Sequence, residues 1–125
     1  MTAHICHALG CSVRCKPEFL LCGRHWGLVP AKLQRAVWAT YRRGQCDDKD
    51  PSEEWHEAAD AAIAAVALQE GYPPGRLLVS HVRAVLALAP ELFGKDEAKM
   101  RRGMRVIERK KKSVASLAER KRTRT

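Results

Sequence analysis

Four cysteines and two histidines crowd the stretch CHALGCSVRCKPEFLLCGRHW, residues 6–26. This feature limits the fold more than any other in the chain. The stretch has few large apolar side chains and several turn formers, so it needs a staple to hold one conformation. The staple is either a set of disulfides or a metal. The chain carries five cysteines, an odd number that suits a disulfide framework poorly. The start, MTAHICHALG, has no basic segment followed by an apolar run, so it does not read as a secretory leader. No stretch reaches the roughly 20 apolar residues of a membrane span. These features lead us to expect a cytosolic protein, where thiols stay reduced and clustered cysteines hold metal.

Zinc takes four thiolate or imidazole donors in a tetrahedron. CGRH supplies Cys22 and His25 as one close pair. The second pair is Cys6 with Cys11, where Gly10 permits a positive-φ turn, or Cys11 with Cys15. His4 and His7 are further substitutes. Of these we favour Cys6, Cys11, Cys22 and His25. Four protein donors would close the site, which makes Zn2+ structural and gives no open position for catalysis. Two readings compete with it: buried free cysteines acting as small apolar groups, and a catalytic Cys–His pair, for which the sequence offers no oxyanion hole. The P-loop, dinucleotide glycine motif, HExxH, serine elbow and deaminase zinc signature are all absent, so no enzyme is expected.

The charge is segregated. The net charge is +9 from 23 Lys+Arg and 14 Asp+Glu. Three thiolates and one Zn2+ would together contribute −1, lowering it to about +8. Residues 1–94 hold ten basic and ten acidic side chains, whereas residues 95–125 hold thirteen and four, so the excess lies entirely in the last quarter. DDKDPSEEWHEAAD, residues 47–60, carries seven acids and one lysine. These shifts divide the chain into a zinc-stabilised helical domain, 1–94, with its zinc module at about 4–29, and a basic helical tail, 95–125.

Periodicity predicts a mainly α protein: an irregular zinc-bound loop module packed on three helices, followed by a long basic C-terminal helix. The first helix spans 29–44, with Pro30 in its first turn, Arg42 and Arg43 in its last, and Gly44 as its stop. QCDDKD reads as a loop. The second helix starts at Asp50 as cap, with Pro51 at the first helical position and Glu53 closing a capping box. It presents Trp55, Ala59, Ala62, Ile63 and Val66 on one face and ends at Gly71. The third runs from about Arg76 to Ala89 on a stripe of Leu78, Val82, Val85 and Ala89. PELFG is a short turn. The tail helix carries Met100, Met104, Ile107, Val114 and Leu117 on a narrow stripe that Lys111 interrupts, which argues against membrane insertion.

CHALGC, LLCGRHWGLVP, LQRAVWATYRRGQ and PSEEWHEAADAAIAAVA, taken together, resemble a family of small, mostly uncharacterised proteins of tailed bacteriophages and prophages. The resemblance covers about residues 6–70. It implies a phage origin, a bacterial host cytoplasm and the same ligand set of Cys6, Cys11, Cys22 and His25. It also marks Cys15 as a replacement for an apolar residue of the family loop, and it implies no specific activity.

Trp26, Trp38 and Tyr41 are expected to pack the zinc loop onto the first helix, in preference to forming a base-stacking platform. His56 and Asp60 read as a solvated face and His81 as a core histidine. The tail offers Lys99, Arg101, Arg102, Arg105, Arg109, Lys110, Lys111, Lys112, Arg120, Lys121 and Arg122 to phosphates. The expected function is therefore nucleic-acid binding through the phosphate backbone, in transcription regulation or a related process. The alternative is a non-catalytic module that binds a host protein complex.

Overall fold

The most alanine-rich segment of the chain organises the fold. The computed structural model describes residues 4–122, with side chains described through Lys112. In chain order the helices are α1 (Gly23–Trp26), α2 (Ala31–Thr40), α3 (Gln45–Asp48), α4 (Glu53–Gln69), α5 (Val79–Leu88) and α6 (Glu97–Arg122). Short 3-10 turns occupy Pro74–Arg76 and Pro90–Asp96. The described residues contain no strand, only an isolated antiparallel bridge between Ile5 and Arg14. The protein is mainly helical, as its periodicity predicts.

Helix α4 is covered on nearly all sides. Ala58, Ala59, Ala61, Ala62, Ala64, Ala65 and Ala67 are buried together with Ile63 and Val66. A rod of methyl groups lets neighbouring backbones approach closely, and α4 packs against both α2 and α5. Those neighbours supply the larger side chains. Leu33 on α2 and Val85 on α5 are fully buried, as is Val66. Each such side chain contributes about 1.5–3 kcal/mol through burial. The core continues past Gly94, whose positive φ of 54° turns the chain into α6. Phe93 and Met104 are both buried in this core, and Met100 packs partly buried against it. Val114 and Leu117 lie outside the described side chains.

Helix ends depart from the sequence-based expectation in four places, one of them α5, which starts at Val79 where about Arg76 was expected and leaves Leu78 exposed. Helix α2 stops at Thr40, and Tyr41 is extended, so Arg42 and Arg43 lie beyond the helix. The Thr40 hydroxyl donates back to the Ala36 carbonyl at 2.8 Å and also reaches the Val37 carbonyl at 3.2 Å, the acceptor that the Tyr41 N–H would take in a continuing helix. Gly44, with φ 85°, opens α3 and does not close α2, and QCDD is one helical turn where a loop was expected. Helix α4 is capped by Ser52, whose hydroxyl accepts the Trp55 N–H at 3.1 Å. A serine two residues nearer the helix displaces Asp50 from the capping role. The Asp50 N–H donates instead to the Asp48 carboxylate.

Arg42 acquires a clear role in this segment. Its guanidinium pairs with Asp48 and donates to the Asp50 carbonyl at 2.8 and 3.2 Å. It thereby ties together the acidic loop between α2 and α4. The Arg42 side chain holds the Asp48 carboxyl below its ordinary range. Trp38 sits among Phe19, Trp26 and Tyr41, at centroid distances of 6.4, 6.4 and 5.6 Å. The aromatics thus join the N-terminal segment to α2, as expected. His81 is buried, with Nε2 3.8 Å from an Asp60 oxygen, while its Nδ1 has no partner among the described residues.

Candidate metal centre

The N-terminal segment folds as two small pieces that face each other. The first is a hairpin. Cys6 N–H donates to Val13 O at 2.8 Å and Cys15 N–H to His4 O at 3.2 Å, which pairs the two legs. At its tip Gly10 adopts φ 80°, and the Cys11 N–H closes the turn onto Ala8 O at 3.1 Å. This is the positive-φ turn that the glycine before Cys11 predicts. The second piece is the start of α1, where Cys22 is the N-terminal flanking residue and Trp26 N–H returns to Cys22 O at 2.8 Å. One helical turn then brings His25 beside Cys22.

The donor atoms of Cys6, Cys11, Cys22 and His25 all lie within 4.8 Å of one another. His25 Nδ1 is 3.2 Å from Cys22 Sγ and 3.6 Å from Cys6 Sγ. Bonds of about 2.3 Å to sulfur and 2.0–2.1 Å to nitrogen require tetrahedral S···N edges near 3.5 Å. The observed separations bracket that value. Cys6, Cys22 and His25 are buried and Cys11 is partly buried, so the four atoms enclose a small volume largely shut off from solvent. The cluster is compatible with a metal ion.

The remaining candidates point elsewhere. Cys15 lies on the outgoing hairpin leg, and its thiol donates to Phe19 O at 3.6 Å. His4 Nε2 is bonded to that same carbonyl at 2.8 Å, and the His7 ring packs against the His4 ring at 5.3 Å. Cys46 sits against the Tyr41 hydroxyl at 3.2 Å, and that contact raises the Tyr41 phenol to about 12.

The thiols are electrostatically unequal. Burial pushes Cys6 up to about 11. Cys22 falls to about 7, because the His25 backbone N–H and then the His25 ring stabilise its thiolate. The Ala8 N–H also reaches Cys6 Sγ at 3.4 Å. A dication bound by three thiolates would complete the ionisation of Cys22 and displace the protons of the remaining thiols, Cys6 at the greatest cost. Uptake of metal therefore releases protons, and affinity falls as pH falls.

One residue of the centre escapes sequence reasoning. Glu70, just past the end of α4, places Oε1 3.2 Å from His25 Nε2, on the side of the ring away from the thiols. Its second oxygen lies 3.8 Å from Arg24. A metal-bound histidine usually gives its other N–H to a carboxylate, which fixes the tautomer and the ring orientation. Glu70 supplies that partner, leaving Nδ1 free to face the thiols. Gln69 donates to Leu28 O and holds this end of α4 against the module. Glu70→Gln is expected to weaken Zn2+ affinity by about tenfold, within the usual 10–100-fold range for such partners. Competition with a chromophoric chelator measures it, and unchanged affinity would remove Glu70 from the centre.

Comparison of the chain with protein-family models, with curated proteins and with solved structures finds no match.

Proposed function

We propose that this protein binds nucleic acid through the basic face of α6, carried on a head that a structural Zn2+ holds rigid. The supporting observation is the state of the basic side chains. Lys99, Arg101, Arg102, Arg105, Arg109, Lys110, Lys111 and Lys112 are all exposed. Among the described residues, only Arg101 of these eight has a carboxylate within ion-pair distance, Glu97 at 3.7 Å. Among the described residues no ion pair joins α6 to the acidic segment 47–60. Arg120, Lys121 and Arg122 lie outside the described side chains.

Helical spacing concentrates this charge. At about 100° per residue, Arg101, Lys112, Arg105, Arg109 and Arg102 follow one another around one flank about 100° wide. Met100, Met104 and Ile107 occupy a separate stripe turned toward the core. A rod with charge along one flank suits a phosphate backbone, whose contacts give affinity without reading sequence. The zinc centre then serves as a clamp: four protein donors leave no position for a substrate, and the reading includes no catalysis. The resemblance to phage proteins gives the setting as a bacterial host cytoplasm. No described helix is long and apolar enough to cross a membrane.

Binding of labelled duplex DNA and RNA, followed by anisotropy across roughly 50–300 mM salt, tests the reading. About six phosphate contacts give a log–log slope near −5. Absence of binding to either duplex at the lowest salt overturns it. Capture of bacterial proteins from nuclease-treated lysate, without nucleic-acid binding, would favour a host-protein module instead.

A further inference from the structure

Helix α5 contributes a basic residue that the tail alone does not include. Arg83 projects from α5 into the groove between α5 and α6, where Arg101 and Arg105 enter from the other side. The groove has a volume of about 260 Å³, and Leu86 and Met104 form part of its wall. Glu108 is the one acidic residue that lines it. All three arginines are exposed, and among the described residues neither Arg83 nor Arg105 has a carboxylate within ion-pair distance. Arg101 and Arg105 stand one helical turn apart, and Arg83 faces them from a separate helix.

Resting on the nucleic-acid reading above, we propose that Arg83, Arg101 and Arg105 form a discrete phosphate-binding groove, which fixes where a nucleic-acid backbone crosses the junction of α5 and α6. Three guanidiniums stand against Glu108 in the groove and Glu97 on Arg101, a local net charge of about +1 in which Arg83 and Arg105 are unpaired like charges that repel one another. A phosphate relieves that repulsion. Guanidinium forks on two helices can grip its oxygens from different directions, which a row of lysines on one helix cannot do. The groove is also anchored, because Met104 is buried and α5 packs on α4. Contacts here therefore hold the backbone against the folded head, where the outer part of α6 holds it only along a rod. The shared chemistry is a phosphate group, either that of a nucleic acid or a free phosphate ion.

The test uses the zinc-loaded full chain and two probes. In the first arm, duplex binding is measured across salt for the parent, Arg83→Ala, Arg83→Lys and Arg76→Ala, an exposed arginine away from the groove. Arg83→Ala is expected to flatten the salt slope by about 0.9 and to weaken binding at 100 mM salt on the order of fivefold to tenfold. Arg83→Lys should fall between, since a point charge replaces a fork. In the second arm, the arginine Nε–H resonances are followed by NMR as inorganic phosphate is added. Shifts at Arg83 with the duplex but not with phosphate support the polymer as ligand. Shifts with phosphate when the duplex does not bind support the groove as a free-phosphate site and sink the tail reading. If the parent binds duplex while Arg83→Ala matches Arg76→Ala in slope and affinity, the groove is overturned and the tail reading stands. If neither probe moves Arg83, the groove is also overturned.

Discussion

Removing the metal with a chelator is expected to unfold residues 4–29 while α4 and α5 stay paired. On the zinc-clamp proposal the two halves of the molecule are held by different forces. Helices α2, α4 and α5 share an apolar core in which Leu33, Val66 and Val85 are fully buried. The N-terminal segment buries Ala8, Leu20, Leu21 and Val29 in that core beside its buried cysteines, with Trp26 and Leu28 partly buried against it. Its hairpin rests on two backbone hydrogen bonds between the legs, and α1 is a single turn. Structural Zn2+ in small peptides is worth about 10–16 kcal/mol, far more than these contacts. Without it Cys6, a buried thiol pushed to about 11, stays protonated at neutral pH and faces Cys22, which is poised near 7. Amide exchange should then accelerate through His7–Leu28 by several orders of magnitude and stay slow in Ala61–Ala67. Cys22→Ala should reproduce the loss even with Zn2+ present, and Cys15→Ser should not. Equal protection of His7–Leu28 with and without metal would contradict the clamp.

The second large effect is expected from replacing Arg101, Arg102, Arg105 and Arg109 together with alanine. All four are exposed on α6. Alanine is the best helix former, and the one ion pair lost, Arg101–Glu97, lies on the surface and is worth about 0–1 kcal/mol at most. The fold should therefore survive, which circular dichroism checks. Each lost phosphate contact removes about 0.9 from the salt slope, so the four together flatten it by up to about 3.6 and weaken duplex binding at 100 mM salt on the order of a thousandfold. Duplex affinity within twofold of the parent would show that the flank is only a solvated surface.

The clustering of Cys6, Cys11, Cys22 and His25 and the helical class were legible in the sequence because both are local. Cys22 and His25 need only one turn to meet, and Gly10 announces the turn that brings Cys11 back toward Cys6. Long apolar-periodic stretches marked α4, α5 and α6 for the same reason. What escaped depended on competition or on distance along the chain. Asp50 and Ser52 are both good caps, and only the three-dimensional path of the Arg42-clamped loop decides between them. Thr40 and Arg42 are each compatible with helix, yet α2 ends at Thr40, where the Thr40 hydroxyl bonds back to its own turn and Arg42 pairs with Asp48. Glu70 is invisible as part of the centre because it lies far along the chain from His25. It reaches the ring only once α4 has docked on the module. Arg83 is likewise a lone arginine on an apolar helix until α6 folds across it.

We propose that Cys6, Cys11, Cys22 and His25 hold one metal ion in a closed tetrahedron. Absorption spectroscopy of the protein titrated with Co2+, a spectroscopic substitute for Zn2+, tests it most directly. One Co2+ per chain is expected, with intense visible bands of four-coordinate geometry and strong thiolate charge-transfer bands. Cys11→Ser should weaken those bands and Cys15→Ser should leave them unchanged. A weak six-coordinate spectrum, or charge-transfer bands that survive Cys11→Ser and vanish with Cys15→Ser, would contradict the proposal.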